Sequence, residues 1–268
     1  MPAKGGREAL AGAVGAVETK PVTAVDVALE NVVRVLGGTR VLEGVDLAIA
    51  AGERVGIVGR SGVGKSTLLS LVAGLDDPDD GVVSVAGRTD WRGRLASCAL
   101  MPQRDCLLPW RSALDNACLA LENSGAERAQ ARARARPLFA RFGLEAAEEL
   151  RPAHLSAGMR QRVAFARTLL AGKGVLLLDE PFGALDAITR GELQEWLGQA
   201  LALEPRTVLL VTHDVEEALL LCDRVVVLAS GRVAVELTVD VDRGGPRREV
   251  VTSAAFAALR ERALQAIE

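Results

Sequence analysis

The sequence predicts an α/β fold: a mainly parallel sheet with an antiparallel β-subdomain before it and a helical insert within it. Three observations carry that prediction. Compact apolar runs at 54–59, 174–179, 207–212 and 224–229 are separated by longer stretches, several of them helical in pattern, which is the βαβ rhythm of a parallel sheet. A Gly-rich turn, Gly59-Arg60-Ser61-Gly62-Val63-Gly64-Lys65-Ser66-Thr67, joins the first of these runs to an apolar helix at 68–73. Ahead of both, Val25, Val27 and Leu29, then Val45, Leu47 and Ile49, alternate as half-buried strands do, with Gly37-Gly38 as a hairpin turn between them.

Taken in order, residues 1–23 are expected to form a disordered leader. Lys4 and Arg7 precede a weakly hydrophobic Ala/Gly stretch that runs into Glu18 and Lys20, a poor match to a cleaved signal. Residues 24–240 are expected to form one domain, its antiparallel β-subdomain near 25–58. Asp76-Asp77-Pro78-Asp79-Asp80-Gly81 reads as a turn and lacks the spacing and closing Glu of a calcium loop. Residues 81–87 and 98–103 read as further strands. The helical insert covers about 112–170. Within it, 126–142 is rich in Ala and Arg, and Leu138, Phe139 and Phe142 form an apolar stripe, so its arginines read as a solvated helix face. Residues 241–268 form a helical tail with an amphipathic helix at 253–267.

Composition narrows the function. A net charge of −3, no tyrosine and 3% aromatics disfavour nucleic acid as a partner. Cys98, Cys106, Cys118 and Cys222 form no C-x-x-C and have no His at metal spacing, so they read as small buried apolar residues of a reducing compartment. No apolar run reaches membrane-spanning length.

The chemistry begins at Gly59–Thr67, which fits the P-loop pattern G-x-x-x-x-G-K-[ST] between a strand and a helix. There, backbone N–H groups and the helix dipole hold phosphates, Lys65 reaches the β- and γ-phosphates, and Ser66 offers its hydroxyl to Mg²⁺. A nucleoside triphosphate is the ligand this predicts. Val175-Leu176-Leu177-Leu178-Asp179-Glu180 is an apolar strand ending in two carboxylates. Asp179 at its carboxyl edge can hold Mg²⁺ through water. Strand alternation then turns Glu180 to the other face, free to act as general base on an attacking water.

Further along, Leu155-Ser156-Ala157-Gly158-Met159-Arg160-Gln161-Arg162 resembles the LSGGQ signature of ATP-binding cassette (ABC) proteins. Met101-Pro102-Gln103 resembles their Q-loop, Gly183-Ala184-Leu185-Asp186 their D-loop, and Thr212-His213-Asp214 their switch histidine. The elements stand in family order over about residues 25–235. The resemblance implies ATP hydrolysis, with ATP and Mg²⁺ as ligands. It implies Gln103 as a third group at the metal and water, beside Ser66 and Asp179, and His213 as donor to the γ-phosphate. Ser156 and the backbone of Gly158 would face the ATP bound to a second copy of the chain, or to a paralogous ATPase, in a head-to-tail dimer. His154 reads as structural.

Two positions depart from the family pattern. Counting 23 residues back from Gly59, where the family stacks an aromatic on adenine, lands on Leu36. Ala157 replaces the first signature glycine; its added Cβ near the nucleotide either slows closure or, where φ is negative, fits, and the sequence does not decide between the two. The stretch from Pro102 through Trp110 to Asn116 resembles the importer branch for nitrate, sulfonate and taurine, with cofactor-precursor importers related. That implies separate membrane permease subunits, a periplasmic or lipid-anchored solute-binding protein, and a peripheral place on the cytoplasmic face of the membrane. Leu107, Leu108 and Trp110 are candidates to meet the permease. The competing classes are a cytosolic ABC ATPase of an assembly machine and a weakly hydrolysing nucleotide switch. A GTPase is disfavoured because no N-K-x-D motif follows the P-loop.

Overall fold

A computed structural model describes residues 22–183, 185–203, 205–245 and 247–267; the expected leader therefore lies almost wholly outside the described residues. The chain divides into two compact units, one of residues 23–106 and 171–268 and one containing the helical segment 107–170.

The larger unit holds two sheets. The antiparallel one has the order β2-β1-β4, from β1 (Val27–Leu36), β2 (Thr39–Ile49) and β4 (Asp80–Val85). Gly37 and Gly38, at φ 56° and 82°, make the two-residue turn between β1 and β2, a backbone that side chains with a Cβ resist. The subdomain thus differs from the expected 25–58: its third strand comes from beyond the P-loop, and β3 (Arg54–Val58) belongs to the other sheet.

That second sheet has the order β5-β6-β7-β3-β8-β9, with β5 (Cys98–Met101), β6 (Val175–Asp179), β7 (Thr207–Thr212) and β8 (Arg224–Ala229) parallel to β3. An edge strand that the sequence reading missed, β9 (Arg232–Thr238), returns antiparallel to β8. Alternating side chains divide between two faces. Val55, Ile57, Val226 and Leu228 join one core with helix α1 (Lys65–Val72) and the antiparallel sheet. Val58, Val225 and Val227 join another with α8 (Val215–Leu221) and α10 (Ala254–Ile267). A sheet covered on both faces explains why β6 and β7 read as unbroken apolar runs. The remaining helices of this unit are α2 (Trp91–Ser97), α7 (Ala187–Ala202) and α9 (Arg247–Thr252). The acidic turn at 76–80 is held by arginines: Arg34 binds Asp76 and Asp79, and Arg94 binds Asp77.

The helical unit contains α3 (Ala113–Ala117), α4 (Leu119–Asn123), α5 (Arg128–Arg141) and α6 (Ala157–Leu170). Phe139 and Phe142 are buried, and Phe142 stacks on Phe165 at 5.9 Å between centroids. The arginines of α5 at four-residue spacing form an ion ladder: Arg128 and Arg132 reach Asp115, Arg132 also reaches Glu149, and Arg136 reaches Glu148. Three of the four cysteines are buried, as expected. Burial pushes the Cys98 thiol up to about 12 and the Cys118 thiol up to about 11. Cys106 departs from that reading, being exposed at φ 46°.

Candidate functional site

Four adjacent parallel strands, β5, β6, β7 and β3, end on the same side of the sheet. At or just past those ends stand Gln103, Asp179 with Glu180, His213, and the loop 59–67. Ligands of open α/β sheets bind outside the carboxyl ends of the strands. Here residues far apart in sequence become neighbours there.

The loop is shaped by its glycines. Gly64 is the N-cap of α1 at φ 110°, and a Cβ there would lie 2.8 Å from both Leu42 Cδ2 and the Val41 carbonyl. Strand β2 therefore sits against the loop, and a larger residue would meet backbone. Gly62 is also left-handed, at φ 83°, whereas nothing stands within 4 Å of where its Cβ would be. Lys65 Nζ donates to the carbonyls of Gly59 at 2.8 Å and Arg60 at 3.0 Å, bracing the side chain across the loop. Burial lowers its pKa, while the charges of Glu180 and Asp179 raise it. Arg60 and Ser61 are exposed, Val63 is half-buried, and Thr67 lies in the first turn of α1.

The two carboxylates have different partners. Ser66 Oγ donates to Asp179 Oδ1 at 3.1 Å. Burial raises the Asp179 pKa, the Ser66 bond opposes that, and the Glu180 charge adds to it. Glu180 Oε2 accepts from Gln103 Nε2 at 3.1 Å and lies 3.3 Å from His213 Nδ1. The physical reason for the division differs from simple strand alternation. β6 stops at Asp179, and Glu180 takes φ 42°, a left-handed conformation costly for a residue with a Cβ. Its N–H is held by the Val211 carbonyl at 2.8 Å, and that turn carries its carboxylate to Gln103 and His213. Gln103 thus meets Glu180, while the hydroxyl–carboxylate pair is Ser66 with Asp179.

In the helical unit, Ser156 caps α6, its Oγ accepting from the Met159 N–H at 3.2 Å. Ala157 is the first residue of α6, so its backbone is right-handed helical and accepts a Cβ without strain. Ser156 is exposed and Gly158 half-buried; His154 is exposed in the turn before them. Leu107 is buried and Leu108 half-buried, which removes Leu107 as a surface anchor, whereas Trp110 is 68% exposed beside a groove of about 430 Å³ lined also by Arg111, Asp115, Glu122 and Arg128. Leu36 ends β1 at 43% exposure, next to the glycine turn.

The profile of the family described as ABC transporter matches residues 42–183. The chain belongs to the ABC transporter family. As an ABC-type protein it binds ATP and is an ATP hydrolase coupled to transport. It is 50% identical to the aliphatic sulfonates import ATP-binding protein SsuB 1 of Rhodococcus jostii, over 75% of this chain and 78% of that one. It is 48% identical to SsuB of Shigella flexneri, over 78% of each. Among solved structures, the dimeric post-hydrolysis state of the ATP-binding cassette MJ0796 bound to ADP and Pi matches with TM-score 0.69 and 31% identity, covering 80% of this chain and 98% of that one.

Two residues of this ABC ATPase escaped the sequence reading. Asn116, fully buried, binds both the N–H and the carbonyl of Leu108 and the Ser112 carbonyl, and so closes the loop that displays Trp110. Glu217 is buried and accepts from the hydroxyl of Thr212, the residue before His213. Each stands beside an acidic residue, Asp115 and Glu216, so the sequence did not mark it as buried.

Proposed function

We propose that this ABC ATPase hydrolyses ATP to power import of a small sulfonate-type anion through separate permease subunits. The observation that carries the hydrolytic part is the convergence of Gln103 and His213 on one oxygen of Glu180. In the reaction, the Glu180 carboxylate takes a proton from water as the water oxygen attacks the γ-phosphorus. The bond from that phosphorus to the β,γ-bridging oxygen breaks, and ADP leaves. Gln103 orients Glu180 and the water through its amide. His213 donates to the γ-phosphate as negative charge develops on it. Lys65 and the N–H groups of the loop hold the phosphates.

Ser66 and Asp179 offer a hydroxyl and a carboxylate oxygen, the hard donors that Mg²⁺ accepts alongside water and phosphate. When bound, Mg²⁺ neutralises charge on the β- and γ-phosphates. Gln103 is the third candidate ligand. The sites work in pairs: Ser156 and Gly158 of a second copy, or of a paralogous ATPase, close over the γ-phosphate in a head-to-tail dimer. The dimeric ATP-binding cassette among the structural neighbours supports this.

The names of the relatives favour an aliphatic sulfonate over nitrate or a cofactor precursor as solute. A permease beside Trp110, a solute-binding protein outside it, and residence at the cytoplasmic face of the membrane complete the reading. Glu180→Gln should lower ATPase turnover by about 10²-fold or more while nucleotide still binds. Cells lacking the gene should lose uptake of a labelled alkanesulfonate and regain it with wild type but not with this variant. Unchanged sulfonate uptake alongside lost nitrate uptake would overturn the solute.

A further inference from the structure

Helix α8 turns Val215, Ala218, Leu219 and Leu221 inward, and Glu217 goes in with them at 3% exposure. Its neighbour Glu216 instead pairs at the surface with Arg260. A carboxyl in that position costs desolvation that an apolar residue of similar size would avoid. Packing does not explain it. Oε1 has no hydrogen-bond partner among the described residues, so whatever polar contact the group makes it makes through Oε2. Its one hydrogen bond is at Oε2, which accepts from the Thr212 hydroxyl at 3.2 Å.

Thr212 is the residue before His213. Its Oγ1, while donating to Glu217, accepts from the Asp214 N–H at 3.0 Å. Asp214 in turn caps α8, accepting from the N–H groups of Glu216 at 2.9 Å and Glu217 at 3.3 Å. His213 is therefore bracketed on both sides by residues tied to Glu217. The preceding residue, Val211, holds the Glu180 N–H with its carbonyl. The same three-residue strand end thus fixes both Glu180 and His213. Without an acceptor behind it, the Thr212 hydroxyl is free to rotate away from the Asp214 N–H.

We propose that Glu217 is a positioning residue for ATP hydrolysis, holding through the Thr212 hydroxyl the turn that presents His213 to Glu180. The proposal rests on the reading of Glu180 and His213 as catalytic groups. A buried polar residue kept against the packing rules is where function is to be sought.

The test is steady-state ATPase of the full chain, with His213→Ala as reference. Glu217→Ala and Thr212→Val should each lower kcat about 5- to 20-fold with KM for ATP within about twofold of wild type. The double variant should be no more than about twofold below the worse single, because the two residues form one relay. Glu217→Gln, which keeps an acceptor for Thr212, should restore most of what Glu217→Ala loses. In a His154→Gln background His213 is the only histidine left. Its imidazole NMR signal should shift toward that of a solvent-exposed histidine in Thr212→Val and stay put in Glu217→Gln. Full kcat in Thr212→Val, losses that multiply in the double variant, or no recovery with Gln would each overturn the proposal. Thr212→Val conserves shape, so it decides the matter even where Glu217→Ala fails to fold. If His213→Ala hydrolyses ATP as wild type does, the fault lies with the catalytic reading instead.

Discussion

Replacing Glu217 by Gln should make stability less sensitive to pH. Burial, with help from the charges of Asp214 and Glu180, pushes this carboxyl from 4.5 up to about 8, against the opposing pull of Thr212 and Arg190. An acid with a raised value keeps its proton in the folded state where the unfolded chain releases it. Stability from this group is therefore full below 4.5 and is lost as pH rises through about 8. At about 1.4 kcal/mol per pH unit, the loss between pH 5.5 and 8.5 integrates to about 3 kcal/mol. Glutamine does not titrate, and the other ionisable groups are shared, so the difference between the two proteins isolates Glu217. Urea denaturation of wild type and Glu217→Gln at pH 5.5, 7 and 8.5 should show the variant gaining on wild type by about 3 kcal/mol across the series. Stabilities that change in parallel would refute a buried, proton-retaining Glu217.

Other outcomes follow from the site and from the helical unit. Leu36→Tyr should lower KM for ATP, since stacking on a base is worth about 1–3 kcal/mol, and should change the ATP-to-GTP preference; no change in either value would remove Leu36 from the nucleotide site. Trp110→Ala should leave basal ATPase and nucleotide binding intact while reducing transport in proteoliposomes with the permease. Equal loss of both would make Trp110 a packing residue. Asn116→Ala removes the hydrogen bonds that close the loop at 108–112 and should cost about 2–3 kcal/mol in denaturant unfolding. An unchanged midpoint would show that water replaces the side chain without loss.

The strands of the parallel sheet were legible because a sheet covered on both faces leaves unbroken apolar runs, as at Val175–Asp179 and Thr207–Thr212. β9 was not legible. It is an edge strand with exposed and buried residues mixed, and its pairing depends on the turn at Ser230 and Gly231 rather than on an apolar run. The third strand of the antiparallel sheet, β4, was visible as a strand, but which sheet it joined depended on contacts with β1, about fifty residues away in the chain.

The phosphate loop and the two carboxylates are local patterns, in which each residue type at its spacing already implies a chemistry, whereas His213 was picked out by its resemblance to the family's switch histidine. That is why Gly59–Thr67, Asp179, Glu180 and His213 could be nominated in one dimension. The separation of Asp179 from Glu180 was expected too, from strand alternation, but its physical cause could not be read. It depends on a left-handed turn at Glu180, held by the carbonyl of Val211 from a neighbouring strand. Nor could the chain say that Glu217, rather than Glu216, turns inward, because both stand side by side in one acidic pair. Burial of a side chain is a property of what packs over it, and the packing of α8 brings together residues that the sequence keeps apart.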